Sequence, residues 1–258
     1  MAANGLVRRG MVFLAGVTVL VSGCSSDDGD RVRAEKEEKP EVKVASEPTA
    51  SEENLKTEST PVWKAWKTSD GKVMAHGAAE IKNKGKKPIR FDSARLNFLG
   101  KDGRVLATEE VLSVVPKVIQ PGESAYVGGT VQMEPAKKPE ELREVTVNAD
   151  FHPTYRKPVK LKTEGLQTTE SVGERKLVTG QVSNPNGETV KDVLIVTALK
   201  DSRGKLVAVV GDYLNTGIPP GGQTGFTARD DRLPPELTDQ ATQAEAHAYP
   251  LFTGEDNQ

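Results

Sequence analysis

The sequence predicts an all-β protein whose folded part consists of two tandem antiparallel β-sandwiches. Two observations lead to this prediction: an internal repeat offset by 101 residues, and short apolar runs separated by turn-forming residues. No stretch after residue 61 has the long 3.6-residue apolar period that an amphipathic helix shows. The chain from residue 61 to residue 258 is long enough for two sandwiches of roughly 100 residues each.

The amino terminus is expected to be a signal peptide comprising residues 1–23. Arg8 and Arg9 give it a positive start, and residues 11–21 form an apolar run. A helix needs about 20 apolar residues to span a bilayer. The run is shorter than that, and its length suits the apolar core of a secretory signal.

The signal segment ends in residues 21–24, Val-Ser-Gly-Cys, which resemble the bacterial lipobox. This resemblance implies diacylglycerol transfer to the sulfur of Cys24, cleavage after Gly23, and acylation of the new amino group with a fatty acid such as palmitate. More than one acyl chain makes a stable anchor. We therefore expect a lipid-anchored protein on the extracytoplasmic face of the cell membrane. The alternative is that Cys24, the only cysteine, is an unmodified thiol.

Residues 24–60 are expected to be a lipidated, disordered tether. From residue 25 to residue 60 the chain has 11 acidic and 6 basic side chains, no aromatic residue and few large apolar ones. Such a segment buries too little apolar area to offset the entropy of ordering it. A short helix over residues 31–38 is the alternative, but isolated helices of that length are marginal in water.

The internal repeat divides the rest of the chain into a first sandwich, residues 61–153, and a second, residues 158–252, followed by a tail, residues 253–258. The matching segments keep the same order in both copies. At the 101-residue offset, the matches are 81–83 on 182–184 and 103–107 on 204–208; with a one-residue slip, 119–126 lies beside 219–226.

Local patterns within each copy indicate strands and hairpin turns. Residues 144–151 alternate polar and apolar side chains, as does the alanine series at 244, 246 and 248. Gly103 and Gly204 stand between apolar runs, where a tight turn requires a positive φ angle. Trp63 and Trp66 are expected to cover the edge of the first core, with a ligand-binding platform as the alternative.

Residues 176–184, 193–201, Gly204 and residues 220–226 together resemble the FxLYD domain, a bacterial immunoglobulin-like module common on exported lipoproteins. The shared pattern is Gly-x-Val-x-Asn, a strand ending in leucine and aspartate, a glycine turn, and Pro-Gly before an aromatic residue. The resemblance covers about residues 166–249 and extends to the first copy through the repeat. It implies two tandem immunoglobulin-like sandwiches and an envelope location. It implies no reaction.

The search for catalytic or metal-binding residues predicts none, and no cofactor. His76, His152 and His247 lie far apart without metal-ligand spacing, so each is expected at the surface or at a strand edge. The chain has no nucleophile elbow and no phosphate-binding loop before a helix. We therefore predict that it is not an enzyme, with an enzyme of unrecognised type as the alternative.

Charge gives one candidate contact site. Five basic residues fall around one predicted turn: Lys82, Lys84, Lys86, Lys87 and Arg90. They are candidates for contact with anionic lipid headgroups or wall polymer, and the alternative is a solvated turn whose lysines block edge pairing. The formal net charge is −2, and this modest charge together with export argues against nucleic acid as a partner.

These features predict a membrane-anchored cell-envelope lipoprotein that acts as a non-catalytic binding or scaffolding module. Its expected partners are the membrane, through lipidated Cys24, and an unknown envelope protein or polymer. The alternative is an accessory subunit of an exported enzyme or transporter complex. Both one-membrane and two-membrane envelopes are compatible with the sequence.

Overall fold

The computed structural model describes residues 55–157, 159–170 and 176–251. The predictions for the signal peptide, for lipidation at Cys24, for most of the tether and for the tail lie outside these residues. Within them, no helix is long and apolar enough to cross a membrane. The strands are β1 Thr57–Lys67, β2 Val73–Asn83, β3 Ile89–Gly100, β4 Val105–Val111, β5 Val118–Ile119, β6 Ser124–Gln132, β7 Leu142–Pro153, β8 Lys162–Glu170, β9 Lys176–Ser183, β10 Val193–Lys200, β11 Leu206–Leu214, β12 Gln223–Ala228 and β13 Gln243–Pro250; a 3-10 turn covers Pro139–Glu141 and helix α1 covers Pro235–Thr238.

The first copy folds as two antiparallel sheets with an apolar core between them. One sheet has the order β1-β2-β6, and in the other β3 pairs with β4, β5 and β7. Side chains from both sheets fill the core, among them Ile81, Ile89, Phe91, Leu96, Phe98 and Val127. The alternation predicted for residues 144–151 lies within β7 and is confirmed.

The second copy repeats this arrangement, except that a single bridge between Val190 and Ile218 stands in place of β5. Its sheets have the orders β8-β9-β12 and β11-β10-β13, and all pairings are antiparallel. Val178, Val182, Ile195, Leu199 and Phe226 form its core. The all-β prediction is therefore confirmed, and membership of the immunoglobulin-like class stays a prediction.

One buried asparagine in each copy shows that the repeat is structural. Asn83 Nδ2 donates to the carbonyls of Lys87 and Ile119, at 2.9 and 3.3 Å. Asn184 Nδ2 donates to the carbonyls of Glu188 and Ile218, at 2.7 and 2.9 Å. Each asparagine thus joins the loop that follows it to the segment that leads into the next strand of its own sheet, β6 in the first copy and β12 in the second.

The register predicted for the match of residues 119–126 with residues 219–226 is wrong by one residue. Gly122 N–H donates to Asn83 O, and Gly221 N–H donates to Asn184 O, so Gly122 and Gly221 are equivalent, as are Ile119 and Ile218. The slip relative to the 101-residue offset is therefore two residues. A shift of one residue moves a strand side chain to the opposite face of its sheet.

The two sandwiches pack face to face, so the described chain is a stack of four sheets. The outer face of sheet β1-β2-β6 contacts the outer face of sheet β11-β10-β13. A third apolar cluster lies between them and is made of Ala78, Val115, Tyr126, Val196, Ala198, Leu206, Val209 and Tyr249. Gly128 permits this close approach, since a Cβ atom there would lie 2.6 Å from Val209 Cβ.

Strand β1 differs from the prediction in two ways. It begins at Thr57, inside the segment assigned to the tether, because the backbone there pairs with the end of β2 at Asn83. Trp66 packs against the core of the second sandwich rather than the first, since its side of β1 faces the neighbouring sandwich. Trp63 is 41% exposed, on the opposite face of the strand.

Candidate functional site

A cleft between the two sandwiches brings together three ionisable residues with shifted pKa values, Tyr126, Lys200 and Glu245. It has a volume of about 670 Å³, and strands of both sandwiches and the connecting segment 159–163 line it. Partly apolar clefts with a few convergent polar groups are the usual places for ligands. We call the polar group at its base the Tyr126 cluster, consisting of Tyr126, Lys200, Glu245 and His247.

Strand geometry explains why these four side chains meet. Ala125 and Val127 face the first core, so Tyr126 between them points to the neighbouring sandwich. In the second sandwich, Lys200 is the last residue of β10. Glu245 lies on the neighbouring strand β13, opposite Ala198 of β10. The cluster therefore spans the contact between the sandwiches.

The hydrogen bonds in the Tyr126 cluster converge on one carboxylate. Tyr126 Oη donates to Glu245 Oε2 at 3.0 Å, and His247 Nε2 pairs with Glu245 Oε1 at 2.8 Å. Lys200 Nζ donates to Tyr126 Oη at 2.9 Å and to the same Glu245 oxygen as the tyrosine. The ring of His247 stacks on that of Tyr126 at 5.5 Å.

These contacts and burial move the pKa values of Tyr126, Lys200 and Glu245 away from neutrality. The hydrogen bond from His247, helped by Lys200, lowers the pKa of Glu245 to about 2. Burial raises the pKa of Tyr126 to about 12. Burial alone would lower the pKa of Lys200, but its bonds to Glu245 and Tyr126 raise it. General acid–base catalysis works best with pKa values near the working pH, and the pKa values of these three groups lie far from neutrality.

Replacing Tyr126 by phenylalanine is expected to lower the free energy of unfolding by about 1–2 kcal/mol, because the ring stays while a partly buried hydroxyl and its two hydrogen bonds are lost. Guanidinium unfolding would measure this change. The matched control is Tyr213→Phe, whose hydroxyl bonds to Asp192 at the surface, with an expected change within about 0.5 kcal/mol. Equal losses in both variants would contradict the assigned role of Tyr126.

A second cleft, of about 570 Å³, opens between the sandwiches beside His76. His76 is 1% exposed, so its predicted place at the surface or at a strand edge is wrong. Its Nε2 accepts from the Val209 amide at 3.3 Å, and its Nδ1 donates to Thr130 Oγ1 at 2.9 Å. Because the backbone amide fixes Nε2 as an acceptor, the ring is neutral with its proton on Nδ1.

Ion pairing extends the His76 network to the surface. Thr130 hydrogen-bonds to Asp230, and Arg232 donates to Asp230 and, at 2.7 Å, to the Thr130 carbonyl. Burial lowers the pKa of His76 to about 4, so the imidazole stays uncharged at neutral pH. A neutral histidine of the first sandwich is thus hydrogen-bonded to the backbone of the second sandwich.

The predicted basic residues lie at the turn between β2 and β3 and on its flanking strands. Lys84, Lys86 and Lys87 are exposed, whereas Lys82 and Arg90 are half-buried in the strands. Lys84 Nζ pairs with Glu58 at 2.9 Å and lowers the pKa of that carboxyl. The role of these five residues stays a prediction. Among the described residues there is no group of three or more potential metal ligands.

Sequence reasoning missed the residues that join the two sandwiches. Residues 193–199, Val-Leu-Ile-Val-Thr-Ala-Leu, form a nearly continuous apolar run, which is typical of a strand covered on both faces. That run was the available signal for a second contact surface on β10. The polar partners Tyr126, Glu245 and His76 carry no comparable sequence signal.

Comparison with known proteins adds little. No family model and no curated protein matches the chain. A crystal structure of a Bordetella pertussis protein described as ApaA is 11% identical over 70% of this chain and 98% of its own, with a TM-score of 0.26. A red sea bream transglutaminase (10% identity, 76% of this chain, 27% of its own, TM-score 0.20) and a family 2 β-glucuronidase (14%, 70%, 20%, TM-score 0.18) are also similar. At these TM-scores, none of the three bears on fold or function.

Proposed function

We propose that this protein is a lipoprotein of the cell envelope, anchored through Cys24, and that its two immunoglobulin-like sandwiches act as one non-catalytic binding or scaffolding module. The observation that carries the proposal is the face-to-face packing of the two sandwiches through an apolar cluster and the His76 network. A module built this way presents its clefts, loops and outer faces in fixed relative positions. Fixed geometry lowers the entropy cost of binding a partner.

The ionisable groups favour binding over catalysis. Glu245 and Tyr126 have pKa values of about 2 and about 12, and His76 one of about 4. Each group therefore holds a single protonation state at neutral pH, and each is occupied by internal hydrogen bonds. Such groups fix a structure or receive a polar ligand, whereas acid–base chemistry requires a group that exchanges its proton.

An accessory subunit of an exported enzyme or transporter is the second candidate, and one exposed side chain favours it. Leu112 is 75% exposed and lies on the rim of the cleft beside His76. The partly buried Val111 and Leu194 line the same cleft, and apolar side chains grouped in this way are suited to contact with another protein. Leu112→Ser would weaken the association with such a subunit while leaving the fold unchanged.

Substituting Cys24 by alanine is expected to abolish lipidation and leave the precursor uncleaved between residues 23 and 24, because the sulfur that receives the lipid is removed. In cells, membrane cross-linking followed by capture of the full chain would compare the wild type with this variant. The proposal predicts a specific envelope partner for the wild type that the variant loses. A partner spectrum that is unchanged by Cys24→Ala would contradict an anchored module.

A further inference from the structure

The chain that leads from Cys24 enters the fold beside the turn between β2 and β3. We call this turn, with Lys82, Lys84, Lys86, Lys87 and Arg90, the lysine turn. Strand β1 begins at Thr57, which pairs with Asn83 at the end of β2. Lys84 N–H donates to the Lys56 carbonyl at 2.7 Å, and Lys84 Nζ pairs with Glu58. The point of attachment and the basic turn therefore share one end of the four-sheet stack.

The connecting segment and the second sandwich contribute to the same end. Gln120 of the first sandwich, Lys157 and Lys160 of the connecting segment, and Asn186 of the second sandwich line one cavity of about 420 Å³. Asn186 Nδ2 also donates to the Lys160 carbonyl at 3.2 Å. We call this the tether-side end, comprising residues 55–58, 82–90, 117–124, 153–157, 159–162 and 184–192.

The tether-side end is strongly basic, and the opposite end is nearly balanced. The tether-side segments contain twelve Lys and Arg residues and four Asp and Glu residues. The opposite-end segments, residues 67–73, 100–105, 133–143, 200–206 and 229–243, contain twelve basic and ten acidic residues. The two ends thus carry the same number of cations and differ in the acids that neutralise them.

Ion pairing follows the same division. At the opposite end Lys72 pairs with Asp70, Arg104 with Asp102, Arg229 with Asp231 and Arg232 with Asp230. At the tether-side end, Lys86, Lys87 and Lys160 are exposed and form no ion pair within the described part of the chain. Their ammonium groups are open to an external anion.

We propose that the tether-side end docks on the anionic phospholipids of the leaflet that holds the lipid anchor, so that the four-sheet stack stands on the membrane with its opposite end outward. This inference rests on the proposed anchoring through Cys24. It adds an orientation and extends the contact from the lysine turn to both sandwiches and the segment between them.

The attachment point favours the membrane over a free polymer. Only 32 residues lie between Cys24 and Thr57, so an anchor at Cys24 holds the tether-side end in the neighbourhood of the headgroups. Binding is then intramolecular and operates at a high effective concentration. Attraction to an anionic surface fades within a Debye length of about 10 Å, so only the end that faces the membrane benefits.

The test uses the full-length mature lipoprotein in vesicles of phosphatidylcholine, with and without one part in three of phosphatidylglycerol. A single cysteine, Thr189→Cys at the tether-side end or Ser202→Cys at the opposite end, carries a fluorophore, and headgroup spin labels quench it. The charge variant combines Lys86→Gln, Lys87→Gln, Lys157→Gln and Lys160→Gln. Its control combines Lys101→Gln, Lys137→Gln, Lys138→Gln and Lys205→Gln.

We expect quenching of the probe at position 189, but not at 202, in anionic vesicles only, with loss at high salt. Each neutralised tether-side lysine should lower the docked-to-free ratio roughly fivefold, and the control variant should leave it unchanged. Equal quenching in neutral and anionic vesicles, or equal effects of both variants, would overturn the proposal. Quenching unaffected by anionic lipid but altered by added anionic wall polymer would assign the surface to the polymer instead. Protein that does not remain with neutral vesicles would instead disprove the anchor.

Discussion

Replacing Gly128 by valine is expected to lower the free energy of unfolding by about 3 kcal/mol, because the new side chain overpacks the contact between the sandwiches. A Cβ atom at position 128 would lie 2.6 Å from Val209 Cβ and 3.1 Å from the Val209 carbonyl oxygen. Backbone atoms cannot move aside as a flexible side chain does. The sheets must therefore separate, which also exposes the apolar cluster. Guanidinium unfolding and the radius of gyration would report both effects.

The matched control for this substitution is Gly187→Val. No atom lies within 4 Å of a Cβ built at Gly187, and its φ angle is not in the left-handed region. We expect the control to change stability by no more than about 0.5 kcal/mol. If both valines had the same small effect, the two sandwiches would not be packed as described.

Stability is expected to fall by about 3 kcal/mol as the pH drops from about 6.5 to about 4, because of His76. Burial lowers the pKa of His76 from 6.5 to about 4 in the folded chain. In that pH window the unfolded histidine binds a proton while the folded one does not, so acid favours unfolding. Protonation would also break the bond from the Val209 amide, because Nε2 would no longer accept.

The variant His76→Gln isolates this effect, since glutamine offers an acceptor and a donor but does not titrate. Two charged groups act on the imidazole: Asp230 raises its pKa, and Arg232 lowers it. The contributions of these neighbouring groups to the pH dependence of stability remain in the variant, so they cancel when the two proteins are compared. A wild type and a variant with parallel stability curves between pH 6.5 and pH 4 would contradict a neutral, buried His76.

Much of the fold follows from patterns that sequence alone displays. Turn positions such as Gly103 and Gly204 have the positive φ angles, 76° and 77°, that their place between apolar runs predicted. Asn83 and Asn184 were matched by the repeat, and they prove to hold equivalent loops. These features are local in sequence or recur at the 101-residue offset of the repeat. They can therefore be predicted without knowing how distant strands pack.

The site was not predictable from the same patterns, and the register error explains part of the failure. Aligning Tyr126 with Phe226 assigned both aromatic rings to equivalent positions. In the structure Phe226 lies in the second core, whereas Tyr126 points to the neighbouring sandwich. The pleat decides which face a side chain occupies, so a displacement of one residue was enough to hide the key tyrosine.

His76 illustrates a second limit. It stands among the small residues Ala75, Gly77 and Ala78, which give no strong apolar period. A histidine in such a stretch is usually placed at the surface. Its burial depends on the second sandwich, which covers this face of β2 with Val209. Contacts between repeats depend on how two finished sheets meet, and that information is spread over strands more than 100 residues apart.

The most direct test of the proposed function is the mass of the amino-terminal peptide of the full-length protein extracted from membranes. The account predicts a chain that begins at Cys24 and carries a diacylglyceryl group on sulfur together with an acylated or free amino terminus. A chain that begins well before or after residue 24, with an unmodified Cys24 thiol or without this residue, would contradict an anchored envelope module.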